Sequence, residues 1–294
     1  QMVQTNEIEK INCDMKKSGF INKIVSVDFQ RLSHTHILAI IAINSSLVYR
    51  SSQFARYISA PRFVSWFSRV ARFLNDAVVD RQILLLLYNL INDSEMVELR
   101  MLESGFMALW ENVISRHLNS LDSEICDRLA VVILSINKTT MLRFSTQSLC
   151  FFATCLERGC SSLITRRVLL AVARLSKRCE IDKAIACRWR AILSSKQKSA
   201  YLQSSLLKCA LSFMAVATYE WKPLIADLVR ANINFPEHSV SCGRLIARAL
   251  ERFPLPENLC VTNLARVAER RAFRPSKAGA VWLEVLLSLP NALS

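Results

Sequence analysis

The sequence predicts an all-α fold, an α-solenoid of antiparallel helical hairpins built in its second half from repeats of about 38 residues. Three observations predict it. Apolar residues recur at intervals of three and four along almost the whole chain, the period of a helix with one buried face. Only 5 Gly and 7 Pro punctuate 294 residues, fewer turn residues than all-β or doubly wound α/β folds need. Leu169, Leu207, Leu245 and Leu283 follow one another at a constant interval of 38 (207 − 169, 245 − 207, 283 − 245). With 52% apolar and 21% charged residues, the chain has the composition of a folded protein.

The elements follow in order. Residues 1–30 are irregular and read as an N-terminal arm or capping helix. Residues 31–122 read as irregular HEAT- or armadillo-like hairpins, and residues 123–294 as a helical-repeat region with a basic surface. "SHTHILAIIAINSSLVY" (33–49) opens with Ser33 as a cap. "PRFVSWFSRVARFL" (61–74) places Pro61 at a helix start, where its missing N–H costs nothing. "DRQILLLLYNLIND" (80–93) follows, then "SEMVELRMLESGFMALWENVISRHL" (94–118), with a break expected near Gly105. "SEICDRLAVVILSINK" (123–138) and "STQSLCFFATCLERG" (145–159) come next, the latter closing on Gly159 as a C-terminal cap.

The repeat rests on more than leucine. Two positions after each leucine stand Ala171, Cys209, Ala247 and Val285; four positions after stand Ala173, Leu211, Ala249 and Leu287. Val131 and Ile133 occupy the next register upstream. Between the copies lies a second helix: "DKAIACRWRAIL", "KPLIADLVRAN" and "ENLCVTNLARVAERR".

A unit of this length, with a first helix of the form "LLxAxAxL", resembles the octatricopeptide and heptatricopeptide repeats. The junctions "NINFPEHSVSCGRLIARALERF" and "RRAFRPSKAGAVWLEVLLSL" are similar to that family's apolar residue plus Ser or Pro before the first helix. The resemblance covers residues 123–294 and includes no RAP domain. It implies RNA binding or a scaffold role in a ribonucleoprotein of mitochondria or plastids. The family's base-reading column matches Leu170, Lys208, Ile246 and Glu284 here, which is no coherent polar code.

Charge is asymmetric. Residues 1–159 hold 17 Lys and Arg against 15 Asp and Glu, a net +2; residues 160–294 hold 21 against 9, a net +12. Such asymmetry points to a polyanionic partner of the second half. The candidate RNA-binding residues are Arg166, Arg167, Arg174, Lys177 and Arg178 in the first copy, Lys208 in the second, and Arg244, Arg248 and Arg252 at i, i+4, i+8 in the third. Arg266, Arg270, Arg271, Arg274 and Lys277 extend the set. A band of arginines neutralises phosphates, gains affinity from counterion release, and pairs with phosphate through a planar fork. Trp189, Tyr201, Phe213, Tyr219 and Trp221 are candidates for base stacking, although rings at helical spacing are more often core. In the nearly neutral first half, Trp66, Phe67, Leu85, Leu86, Leu87 and Trp110 suit a core or a protein partner.

No catalytic or metal site is expected, nor a cofactor. His34 and His36 are spaced i, i+2, diverge on a helix and read as cap-region residues; His117 and His238 stand isolated. There is no Gly-rich phosphate loop, no GxSxG and no HExxH. The 10 Cys include no CxxC, and Cys126, Cys150, Cys155, Cys209 and Cys260 read as buried free thiols. The longest apolar run, "ILLLLYNLI", is about half the ~18 residues a bilayer needs, so no membrane insertion is expected. The start, without Met or secretory h-region, reads as a processed or trimmed end. The expected function is a non-enzymatic RNA-binding or scaffold subunit of a mitochondrial ribonucleoprotein. The alternative is a pure protein–protein scaffold, cytoplasmic or nuclear, gripping an acidic or helical segment.

Overall fold

The computed structural model describes residues 10, 13–15, 17–26, 28–50, 52–93, 105–119, 122–136, 144–177, 179–213, 221–234, 244, 246, 248 and 249. It is all-helical, with no strand among the described residues. The chain divides into two compact units, Gln1–Arg158 and Gly159–Ser294.

The first unit contains α1 (Phe20–Ser26), α2 (His34–Arg50), α3 (Ser52–Ile58), α4 (Pro61–Leu74), α5 (Ala77–Asp93), α6 (Phe106–His117), α7 (Ser123–Ser135) and α8 (Thr146–Arg158). Local chemistry places their ends. The Ser33 hydroxyl accepts from the His36 amide at 3.3 Å, a side-chain cap, and meets His36 Nδ1 at 2.7 Å. Pro61 occupies the first turn of α4. The Asp76 carboxylate accepts from the Val78 amide at 2.6 Å, and Asp122 from the Glu124 and Ile125 amides at 3.0 and 3.1 Å. Gly105, at φ +101°, opens α6, and Gly159, at φ +99°, follows α8. Side chains rarely adopt that left-handed backbone, so glycine stands where each helix must begin or stop.

Contacts in this unit run in two series. In one, α2 packs on α5 and α5 on α7; in the other, α1 packs on α4, α4 on α6 and α6 on α8. The helices α4 and α5, and α7 and α8, join the series. Trp66, Phe67, Leu86, Leu87 and Trp110 are buried between these helices, so they are core and present no surface to a partner; Leu85 is half-buried. Phe67 meets Phe63 edge-on at 4.4 Å between ring centroids, and Trp110 meets Phe144 edge-on at 5.5 Å. Each such side chain contributes about 1.5–3 kcal/mol by leaving water, and the edge-on pairs somewhat more.

Polar groups lock the same joints. Asp80 on α5 is fully buried. Its carboxylate accepts from Arg116 Nη2 at 2.5 Å and meets His117 Nε2 at 2.8 Å, both on α6. Arg116 Nη1 also donates to the Ala71 carbonyl of α4. The isolated His117 of the sequence is therefore half of a buried pair, brought by helix packing to an acid 37 positions away. Trp110 Nε1 donates to the Ser148 hydroxyl at 2.9 Å across 38 positions, and Arg158 Nη1 to the Asn119 carbonyl at 2.8 Å across 39. On the surface, Arg81 of α5 reaches Glu124 at 2.7 Å, and Glu124 also pairs with Arg128. Hydrogen bonds from Arg128 and Arg81 hold the Glu124 carboxyl below its ordinary range. His34 pairs with Asp76 at 2.6 Å. Burial pushes the Asp76 carboxyl up, but the Val78 and Val79 amides and His34 outweigh it, and its pKa is lowered.

The second unit contains α9 (Ser162–Leu175), α10 (Lys183–Ser195), a 3-10 turn at Ala200–Leu202, α11 (Gln203–Ser212) and α12 (Lys222–Asn234). Ser161 caps α9 through the Ile164 amide, and Asp182 caps α10 through the Ile185 amide at 2.7 Å. α11 packs on α9, α10 and α12. The columns spaced by 38 are its core: Leu169 and Leu207, Ala171 and Cys209, and Ala173, Leu211 and Ala249 are all buried. Upstream, Ile133 is buried but Val131 is half-buried. Leu245, Ala247 and the 283–287 register lie outside the described residues.

Cys126, Cys155 and Cys209 are buried free thiols, while Cys150 is only half-buried; Cys260 lies outside the described residues. Burial pushes the Cys209 thiol strongly up.

Candidate nucleic-acid interface

The basic candidates begin on α9. Leu169, Ala171, Val172 and Ala173 turn toward α11, which leaves Leu163, Arg166, Arg167, Leu170, Arg174 and Lys177 as one stripe on the opposite side. Lys177 is exposed; Arg166, Arg167 and Arg174 are half-buried. On α11, only Ser204, Lys208 and Ser212 escape full burial, at i, i+4, i+8, and Lys208 is exposed. Arg244 and Arg248 are exposed, whereas Ile246 and Ala249 are buried. Ile246, matched to the family's exposed base-reading column, is therefore a core residue. Arg178, Arg252, Arg266, Arg270, Arg271, Arg274, Lys277 and Glu284 lie outside the described residues.

The aromatic candidates divide. Trp189 of α10 stacks on Phe213 (5.8 Å, 25°), and Phe213 stacks on Trp221 (5.6 Å, 18°). All three are buried, so they are core and unavailable to a base. Tyr219 lies outside the described residues. Tyr201 is different: it stands on the 3-10 turn with 42% of its surface exposed. Arg166 reaches it from α9, with Cζ 5.0 Å from the ring centroid and Nη1 donating to the phenol oxygen at 3.1 Å. The pair spans 35 positions, and no local pattern in the sequence links the two residues.

The first unit offers a different surface. On α2, Thr35, Ala39, Ala42, Ile43, Ser46 and Tyr49 are exposed, as are His34 and His36 in its first turn. Tyr49 is 78% exposed.

No group of three or more His, Cys, Asp or Glu among the described residues is placed to hold a metal ion. No helix among the described residues is long and apolar enough to cross a membrane. No family model, curated protein or solved structure matches the chain.

Proposed function

We propose that the protein is a non-enzymatic RNA-binding and scaffold subunit of an organellar ribonucleoprotein, holding RNA backbone on residues 159–294. One observation carries this reading: the charge divides where the fold divides. Residue 159 is a glycine, so the first unit keeps the net +2 and the second the net +12. A compact unit with that excess, exposing Lys177, Lys208, Arg244 and Arg248, suits a polyanion. The α-solenoid of antiparallel hairpins is part of the proposal. It is supported by the buried columns at 38 in the second unit and by tertiary hydrogen bonds in the first that span 32 to 45 residues, Trp110 to Ser148 at 38 among them. Mitochondrial placement rests on the octatricopeptide-like resemblance alone.

Filter binding of single-stranded RNA against salt tests the reading. Affinity should fall as salt rises; no detectable binding at low salt, or binding insensitive to salt, overturns it. Changing Arg244, Arg248 and Arg252 together to Glu should weaken binding, and unchanged affinity removes that stripe from the interface.

A second reading, a pure protein–protein scaffold of armadillo or HEAT type, is favoured by the exposed apolar side chains Ile43 and Tyr49 on α2. RNase treatment of the purified native assembly separates the two. Loss of associated material supports RNA, and an intact RNA-free complex supports the scaffold.

A further inference from the structure

We propose that Tyr201, held by Arg166, is a stacking platform for one base of single-stranded RNA. This deepens, and rests on, the reading of residues 159–294 as the RNA-binding unit. Among the described aromatic residues of that unit, Trp189, Phe213 and Trp221 are consumed by the core, and Tyr201 is 42% exposed, with Arg166 against its ring. Leu163, 50% exposed, stands one turn before Arg166 on the same stripe of α9. Leu163 and Tyr201 are the two large apolar side chains that the described part of this unit leaves in water.

The pair is suited to a nucleotide. A guanidinium bonded to the phenol oxygen fixes the orientation of the ring before a ligand arrives, so less freedom is lost on binding. The ring supplies a π-face and the arginine supplies charge for the adjoining phosphate, the combination by which single strands are held without reading their sequence. Sequence-independent stacking also accords with the absence of a polar code at Leu170, Lys208 and Ile246.

The experiment compares two fluorescein-labelled probes of equal length, oligo(U) and its abasic counterpart, by anisotropy on the full chain. The variants are Tyr201→Ala, Tyr201→Leu and Tyr201→Phe, each checked by circular dichroism for unchanged helix content. Tyr201→Ala and Tyr201→Leu should weaken oligo(U) by about 5-fold or more and leave the abasic strand unchanged, while Tyr201→Phe should keep most of the affinity. Equal losses on both probes would show that Tyr201 only positions Arg166, and would overturn the platform. No loss on either probe, with wild-type binding both, would overturn the platform and leave the RNA reading standing. If the wild type binds neither probe, the reading itself falls and the platform with it. Tighter binding of a Tyr201-dependent acidic peptide than of oligo(U) would replace RNA with a protein partner.

Discussion

Removing the Asp80 carboxylate should loosen the first unit. Asp80→Ala deletes an acceptor that serves Arg116 at 2.5 Å and His117 at 2.8 Å. What remains is an arginine whose side chain is 15% exposed and whose charge has lost its partner. A charged hydrogen bond contributes about 1.5–3 kcal/mol net, and breaking a buried pair by removing one member costs about 3–5 kcal/mol. We take about 3 kcal/mol, a factor of roughly 150 in the opening equilibrium at 1.36 kcal/mol per decade. Hydrogen exchange followed by mass spectrometry reads this locally. Core amides of α4, α5 and α6 should exchange about 100-fold faster in the variant under conditions where exchange follows the opening equilibrium. Combining Asp80→Leu with Arg116→Met and His117→Phe should recover most of the loss, since the cost is that of an orphaned charge. An acceleration below about 5-fold in Asp80→Ala, equivalent to roughly 1 kcal/mol, would refute the claim that the triad locks these helices.

Other outcomes follow from the same structure. The lowered pKa of Asp76 means that its stabilising effect is fully present above the ordinary aspartate range and is lost as pH falls through the folded value; NMR titration should find the Asp76 midpoint below that of a free aspartate, and a midpoint at or above it contradicts the His34 and amide contacts. Gly105→Ala should cost about 1–2 kcal/mol from backbone strain alone, because φ is +101° and no atom lies within 4 Å of the added carbon; an unchanged melting curve would mean that the helix start shifts instead. In alkylation at mildly alkaline pH, exposed Cys13 should react at once, and Cys126, Cys155 and Cys209 only as fast as the fold opens; early labelling of Cys209 would contradict its burial.

The helices were the most legible part of this sequence. α4 covers the span marked by Pro61 and its apolar stripe, and α6 starts directly after Gly105, where a left-handed residue stands; residues 94–104 lie outside the described residues. Period and turn chemistry are local, so a reader of sequence sees them. The columns at 38 were legible for a different reason: a small or apolar residue recurring at one interval signals a repeated packing site, and Leu169, Cys209 and Ala249 are indeed buried. What escaped were relations between helices. Asp80 and His117 each look like ordinary polar residues beside an apolar stripe until α5 and α6 pack. Phe213 and Trp221 fall at the ends of helices, where periodicity does not distinguish a core ring from an open one, and Trp189, in the middle of α10, closes the same stack. Tyr201 looked no different from them in sequence, and only the packing of α11 against its neighbours separates the one exposed ring from the three hidden ones.

The interlocks at intervals of 37 to 39 residues bear on how such a chain tolerates insertions and deletions. An extra residue inside α6 rotates everything beyond it by about 100°, so Trp110 and His117 could no longer both face their partners on α8 and α5. The same residue added to a turn leaves every helix face where it was. Length should therefore drift in the turns while each helix keeps its register. Two distant copies of this architecture could then differ in nearly every spacing between motifs and still close the same locks.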